Sequence, residues 1–241
     1  MNGRVKKRRG PWKAWQRRWK DGWIDAMETP RGRRNAHIDM LVFDHGLIRM
    51  AWRNMHEVAP GVWRGNQPDP AMVRRLAARG FRSILNLRGE TQYGSYLLER
   101  EACRAAGITL IDLKMTSREL PSAAEVMALD EIFASIERPF LMHCKSGADR
   151  AGFASALYLL LRTETPVAEA REQLSWRYLH LEGARTGVLR FMLDAYAAAD
   201  AARPQRFRDW IAGEYDPEAL SAAFRGGRVA TFVSDRLLGR E

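Results

Sequence analysis

Apolar and polar positions along this chain follow two different periods, and the switches between them mark out its elements. Ser83-Ile84-Leu85-Asn86-Leu87 is a short apolar run between polar residues, the pattern of a buried strand. Ile108 to Leu113 and Phe140 to His143 have the same character. Between them lie stretches with helical character: Ala71 to Arg79, Tyr96 to Ala106, Ser122 to about Glu137 and Ala151 to Leu161. Their ends are signposted. Asp69-Pro70 pairs an N-cap with a first helical residue, Ser122-Ala123-Ala124-Glu125 is a capping box, and Gly80 and Gly107 close their helices. Thr165-Pro166 opens a further helix through roughly Trp176, and Val188 to Ala202 forms another. Strands alternating with helices predict an α/β fold, a central parallel-rich sheet flanked by helices on both faces.

A different pattern precedes this body. Trp12, Trp15, Trp19 and Trp23 recur at spacings of three, four and four, which places them on one face of a helix. Lys13, Gln16, Arg17, Arg18 and Lys20 fill other positions, and Pro11 suits the first turn. A basic amphipathic helix with tryptophan on its apolar face fits the plane of an anionic membrane. The alternative is that the Trp face packs on the protein's own body. The predicted division is a basic Trp-rich extension and linker over 1–55, a main domain over 56–202 and a helical appendage over 203–241. Arg31-Gly32-Arg33-Arg34 reads as linker, with Met40-Leu41-Val42-Phe43 and Leu47-Ile48-Arg49-Met50 as short apolar bridges. In the appendage Phe207, Trp210, Ile211 and Phe224 are the packing residues and Gly226-Gly227 a joint.

Charge sharpens that division. Residues 1–35 hold twelve Lys/Arg against three Asp/Glu, a net of +9 out of +10 for the 241-residue chain, so the remainder is nearly neutral. No nucleic-acid-binding module accompanies the basic run, which argues against a nucleic-acid partner. No apolar run reaches the ~18 residues of a membrane span, and the N-terminus lacks the apolar core of a secretory signal. Two cysteines, Cys103 and Cys144, make no disulfide framework. Cys103 sits in a helical pattern and reads as a small packed residue, with resolving thiol for an oxidised Cys144 as the alternative. His37, His45, His56 and His180 lack metal-ligand spacing, and neither metal nor cofactor is expected.

The candidate chemistry lies in His143-Cys144-Lys145-Ser146-Gly147-Ala148-Asp149-Arg150, between a strand and a helix. A short loop opening a helix offers backbone N–H groups and favourable partial charge to a phosphate. Gly147 lets the loop take up positive φ, and the planar fork of Arg150 matches two phosphate oxygens. The same donors favour a thiolate at Cys144, which is the nucleophilic form. Such a thiolate needs a reducing, cytoplasmic setting, with peripheral attachment to the inner face of a membrane if the Trp helix docks there. Cys144 and Arg150 are the expected catalytic pair. His143, Lys145, Ser146, Gly147 and Ala148 are the expected substrate-binding set, His143 also orienting the loop. The general acid is drawn from Asp149 or Asp112, with Glu119 behind them.

This octapeptide resembles the active-site loop, His-Cys-x5-Arg, of the protein tyrosine phosphatase superfamily. Val58 to Pro68 followed by Asn86-Leu87-Arg88 is similar to the entry of the catalytic domain in atypical dual-specificity phosphatases, so the resemblance covers roughly 56–200. It implies a phosphomonoester hydrolase working through a phosphocysteine, on phosphoprotein or on phosphoinositide or phospholipid. Lys145 resembles the phosphoinositide branch, and Asp149-Arg150 a bacterial and lipid-phosphatase subgroup. Two departures stand out. Ala151 occupies the position of the usual Ser or Thr, leaving Ser146 as a substitute hydroxyl, and the expected acid loop, Lys114 to Ser122, holds no Asp. Rival readings are a non-catalytic phosphate-binding module and a membrane adaptor.

Overall fold

A computed structural model describes Trp15, residues 18–181 and residues 185–225. After α1 (Pro30–Ile38), a π-helical turn (Asp39–Phe43) and α2 (Gly46–Ala51), the chain forms β1 (His56–Ala59) and β2 (Val62–Asn66). It then alternates through α3 (Pro70–Ala78), β3 (Ser83–Asn86), α4 (Gly94–Ala106), β4 (Thr109–Asp112), α5 (Ala123–Ser135), β5 (Phe140–Cys144) and α6 (Asp149–Arg162). Short α7 (Val167–Ala170), long α8 (Gly187–Ala202), α9 (Phe207–Gly213) and α10 (Pro217–Arg225) complete it.

The five strands form one sheet in the order β1-β2-β5-β3-β4. β1 and β2 are antiparallel, and every other pairing is parallel. Register brings Asn66 opposite Cys144, and Asn86 opposite both His143 and Asp112, so four strands end along one edge. Ligands of parallel sheets bind at that carboxyl edge. The helices start where their caps dictate. Asp69 accepts N–H bonds from Ala71 and Met72, both halves of the Ser122–Glu125 capping box form, and Gly107 ends α4 in the left-handed conformation.

Alternation along the strands separates two cores. Ile84 and Leu141 pack with Val73, Leu76 and Cys103 on one face, beneath α3 and α4. Leu85, Met142 and Cys144 pack on the other, with α5, α6 and α8. The two thiols therefore sit in separate clusters on opposite faces. Burial pushes the Cys103 thiol up, as suits an inert packed residue rather than a resolving one. The helix expected from Thr165 to Trp176 is broken after α7 into 3-10 turns at Arg171–Leu174 and Trp176–Tyr178. At the C-terminal end Phe207, Trp210 and Ile211 are buried in the same core as α8, and the Tyr215 hydroxyl donates to Pro121 O at 2.6 Å.

The segment before β1 departs most from expectation. Arg31 to Arg34 is no linker but part of α1, which Pro30 opens and the Thr29 hydroxyl caps by accepting from Gly32 N–H. Of the described tryptophans of that face, Trp23 is buried, Trp19 is half-buried, and Trp15 is exposed although its ring lies 6.2 Å from Phe43. Trp23 is buried with Ala36, Met40 and Leu98, and the Trp19 ring lies 5.5 Å from Trp23 and 5.2 Å from Phe43. An apolar face offered by Met40 and Leu98 of the same chain competes with any membrane, and burying each such side chain stabilises by about 1.5–3 kcal/mol. Trp23 is thus taken up by the protein's own core, and Trp19 packs partly against it. Trp12, Lys13, Gln16 and Arg17, like Pro11, Gly226 and Gly227, lie outside the described residues. No helix among the described residues is long and apolar enough to cross a membrane.

Candidate active site

β5 delivers Cys144 to the carboxyl edge, four residues turn the chain, and α6 begins at Asp149. Ala148 at the N-cap supplies no side-chain cap, so the first N–H groups of a fourteen-residue helix are left to another acceptor. Cys144 is buried in the floor of the turn, and Gly147 N–H points at its Sγ at 3.3 Å. Only glycine fits at 147. Its φ is +78°, and a Cβ there would lie 2.8 Å from the carbonyl carbon of Gly65. Arg150, half-buried, reaches over the loop toward β3 and donates to Leu87 O at 3.4 Å.

The carbonyls of this loop face away from the thiol because other residues hold them. Arg64, fully buried on β2, donates from Nη2 to Gly147 O at 2.6 Å and Ala148 O at 3.2 Å. Its Nη1 binds Gln173 through both the backbone and the side-chain oxygen, and the guanidinium stacks 4.0 Å from the Tyr178 ring centroid. Burial brings the Arg64 pKa down to about 10, which leaves it charged at neutral pH. Asn54, at φ +46°, donates to Ser146 O and Tyr178 O. With its carbonyls drawn outward, the loop presents N–H groups inward, a concave anion site.

A second set of braces reaches the loop from behind. His143 is fully buried, and its Nε2 lies 2.8 Å from Glu99 Oε1 on α4. It sits on the face of β5 opposite Cys144 and is fully buried, a place that suits the loop-orienting role expected of it. Gln67 ties Glu99 to Arg49 and Arg88. Asp44, also fully buried, accepts a bidentate pair from Arg88 at 2.6 and 3.1 Å and the Ser95 hydroxyl at 2.6 Å. Lys145 Nζ is 3.1 Å from the same carboxylate. Burial opposes the charge on Asp44, yet Arg88 and Arg49 outweigh it and hold the carboxyl well below the usual range. Lys145 is thereby drawn to Asp44, while Ser146 sits exposed at the loop tip with Ala148 buried beneath.

The acid candidates separate. Asp149 opens α6 and its Oδ1 accepts from buried His180 Nδ1 at 2.8 Å, with its own side chain partly exposed. Asp112 has both oxygens committed, one to Asn86 Nδ2 at 2.7 Å and the other to the Tyr96 hydroxyl at 2.8 Å. Glu119 is exposed on the loop before α5. Ala151 is fully buried in the core. Arg64 stands inside the stretch that carries the family resemblance, which marks the position without giving its role. Asn54, Glu99 and Asp44 carry no comparable mark. Among the described residues, no group of His, Cys, Asp and Glu has the geometry to hold a metal ion.

No curated protein matches the chain. Among solved structures it is similar to TpbA of P. aeruginosa, at 21% identity and a TM-score of 0.44, covering 59% of this chain and 91% of that one. It is similar to Tk-PTP in its active form, at 16% identity and a TM-score of 0.48, covering 61% and 97% respectively. The Siw14 catalytic core aligns at 15% identity and a TM-score of 0.47, covering 74% and 94%. The match of residues 50–184 to a family model carries more weight than these. Spanning more than half of the chain, it is to the DSP-PTPase phosphatase fused to NAD+ kinase, and the chain belongs to that family of tyrosine/dual-specificity-type phosphatases.

Proposed function

We propose that the protein hydrolyses phosphomonoesters through a phosphocysteine on Cys144. The observation that carries this reading is the Gly147 N–H aimed at Cys144 Sγ within a loop whose carbonyls Arg64 and Asn54 draw outward. A phosphoryl group seated there is bound by loop N–H groups, the N-terminus of α6 and the Arg150 guanidinium. The Cys144 thiolate attacks phosphorus, the P–O ester bond breaks, and the leaving oxygen takes a proton from an acid. Water then attacks the phosphocysteine, gives its proton back to that acid, and releases inorganic phosphate and the thiolate.

Asp149 is the better acid. It lies in the loop itself, and His180 engages Oδ1, which leaves Oδ2 to carry the proton. Asp112 has no oxygen to spare. Ala151 supplies no hydroxyl for phosphocysteine breakdown, so this second step is the slower one, and Ser146 is the nearest substitute in sequence. Phosphate release from a small aryl phosphate tests the scheme. Cys144→Ser abolishes turnover, Asp149→Asn lowers it about 10²-fold or more, and Asp112→Asn keeps parent-like turnover. Undiminished release by Cys144→Ser refutes the scheme, and binding of the aryl phosphate with no release of phosphate or phenol marks a phosphate-binding module.

A further inference from the structure

The approach to the Cys144–Arg150 loop is flanked by two segments that show apolar side chains to water. α2 is built inside out. Its buried side chain is Arg49, 3.3 Å from Asp44, while Leu47 is 61% and Ile48 69% exposed. Trp52, just beyond, is 53% exposed. The other segment is the turn at 176–181, where Trp176 is 82% and Leu179 55% exposed. Leu179 holds φ +64°, a conformation that bulky side chains adopt only under strain, and it still directs its side chain outward. Both segments are fastened to the loop by one residue, since Asn54 donates to Ser146 O and to Tyr178 O.

Within the two segments themselves the exposed charge has one sign. The acidic residues of 38–53 and 176–181 are Asp39 and Asp44, and both are fully buried against cations. Arg177 is exposed and Lys145 is partly exposed. Exposed apolar side chains including tryptophan, mixed with cations and with no exposed carboxylate in either segment, are the chemistry of an anionic bilayer surface, and the partly exposed Asp149 bonded to His180 is the acid beside them. A second copy of this chain is a poor occupant, because it brings the same positive charge to the contact.

We propose that this rim seats on an anionic bilayer, and that the phosphomonoester taken by the loop is carried on a membrane lipid headgroup. The proposal rests on the phosphatase reading of Cys144 and deepens it with a substrate class. The apolar elements that face the membrane are then Ile48 and Trp176 and their neighbours, not the Trp19–Trp23 face.

The test uses the full chain, vesicles of phosphatidylcholine alone or mixed with phosphatidylglycerol, and phosphatidic acid within them as substrate. The parent is expected to sediment with the anionic vesicles but not the neutral ones, and to hydrolyse the embedded phosphatidic acid. Ile48→Ser combined with Trp176→Ser is expected to lower vesicle binding and vesicle hydrolysis about tenfold or more, with aryl phosphate turnover unchanged. Cys144→Ser is expected to bind vesicles like the parent. Loss of aryl phosphate turnover in the double variant shows a folding defect, and the single variants Ile48→Ser and Trp176→Ser then carry the comparison, each with a smaller loss of vesicle binding. The proposal is overturned if the parent ignores anionic vesicles, if the rim variants bind as well as the parent, if they instead dissociate a dimer, or if phosphotyrosyl peptide is hydrolysed and phosphatidic acid is not. A parent inactive on aryl phosphate but bound to anionic vesicles condemns the catalytic reading and the lipid substrate that rests on it, and leaves the seat standing.

Discussion

The Cys144–Arg150 loop and the segment from Asp44 to Gln67 that braces it solve opposite halves of one problem. In the proposed scheme the loop binds chiefly with its backbone, aided by Arg150, and its rigid requirement is the glycine at 147. The brace acts with its side chains, and Asp44, Asn54 and Arg64 are buried polar groups that make sense only through their partners. Backbone donors cannot be mutated away, but the carbonyls between them must be held outward or the cradle collapses. The difference teaches where precision resides under the proposed scheme: the loop is to hold the reacting atoms, and the brace holds the loop.

The largest effect expected from breaking that pairing is on the loop side. Arg150→Ala removes a charge aimed at the phosphoryl group and is expected to lower kcat/KM about 10³-fold with little change in unfolding free energy. The reverse is expected of the brace. Arg64→Met strands the carbonyls of Gly147, Ala148 and Gln173 and is expected to cost about 3–5 kcal/mol in urea unfolding, with activity falling alongside. A parent-like unfolding midpoint for Arg64→Met would break the comparison.

Asp44 gives the pairing a pH signature. Its carboxyl titrates below its unfolded value, so its stabilisation is whole above pH about 4 and is lost as pH falls through the lower folded value. Asp44→Asn is expected to cost about 3 kcal/mol near neutrality, and the gap in Tm between parent and variant should close as the pH is taken below 4. A gap independent of pH would mean that the carboxylate charge is not what Arg88 and Lys145 are held by. The smallest effect is at Asn54. Asn54→Ala is expected to cost about 1–2 kcal/mol and to raise KM more than it lowers kcat, because the loop is loosened at Ser146 while Cys144 stays in place.

Legibility follows the same divide. Elements whose cause is local were readable: the capping box at Ser122, the Asp69-Pro70 start, the Gly107 stop, and β3, β4 and β5 as apolar runs. β1 and β2 were not readable, because His56–Ala59 is short and Val62–Asn66 spends Arg64 and Asn66 on the interior instead of on alternation. The loop was readable because its spacing is local too. Its supports were not, since Asn54 and Ser146 are far apart in sequence and Glu99 meets His143 across the sheet. Amphipathicity alone also left two readings open. It marks an apolar face without saying what covers it, and for Trp19 and Trp23 the cover is Phe43, Met40 and Leu98 of the same chain.

The central claim is that phosphate passes through the Cys144 sulfur. Acid quenching of the enzyme during turnover of an aryl phosphate, followed by peptide mass spectrometry, reads that directly. The account predicts a phosphate adduct on the peptide that contains Cys144, abundant because Ala151 leaves breakdown slow, and absent from Cys144→Ser. Steady turnover with no adduct on that peptide, or with the adduct on another residue, would contradict it.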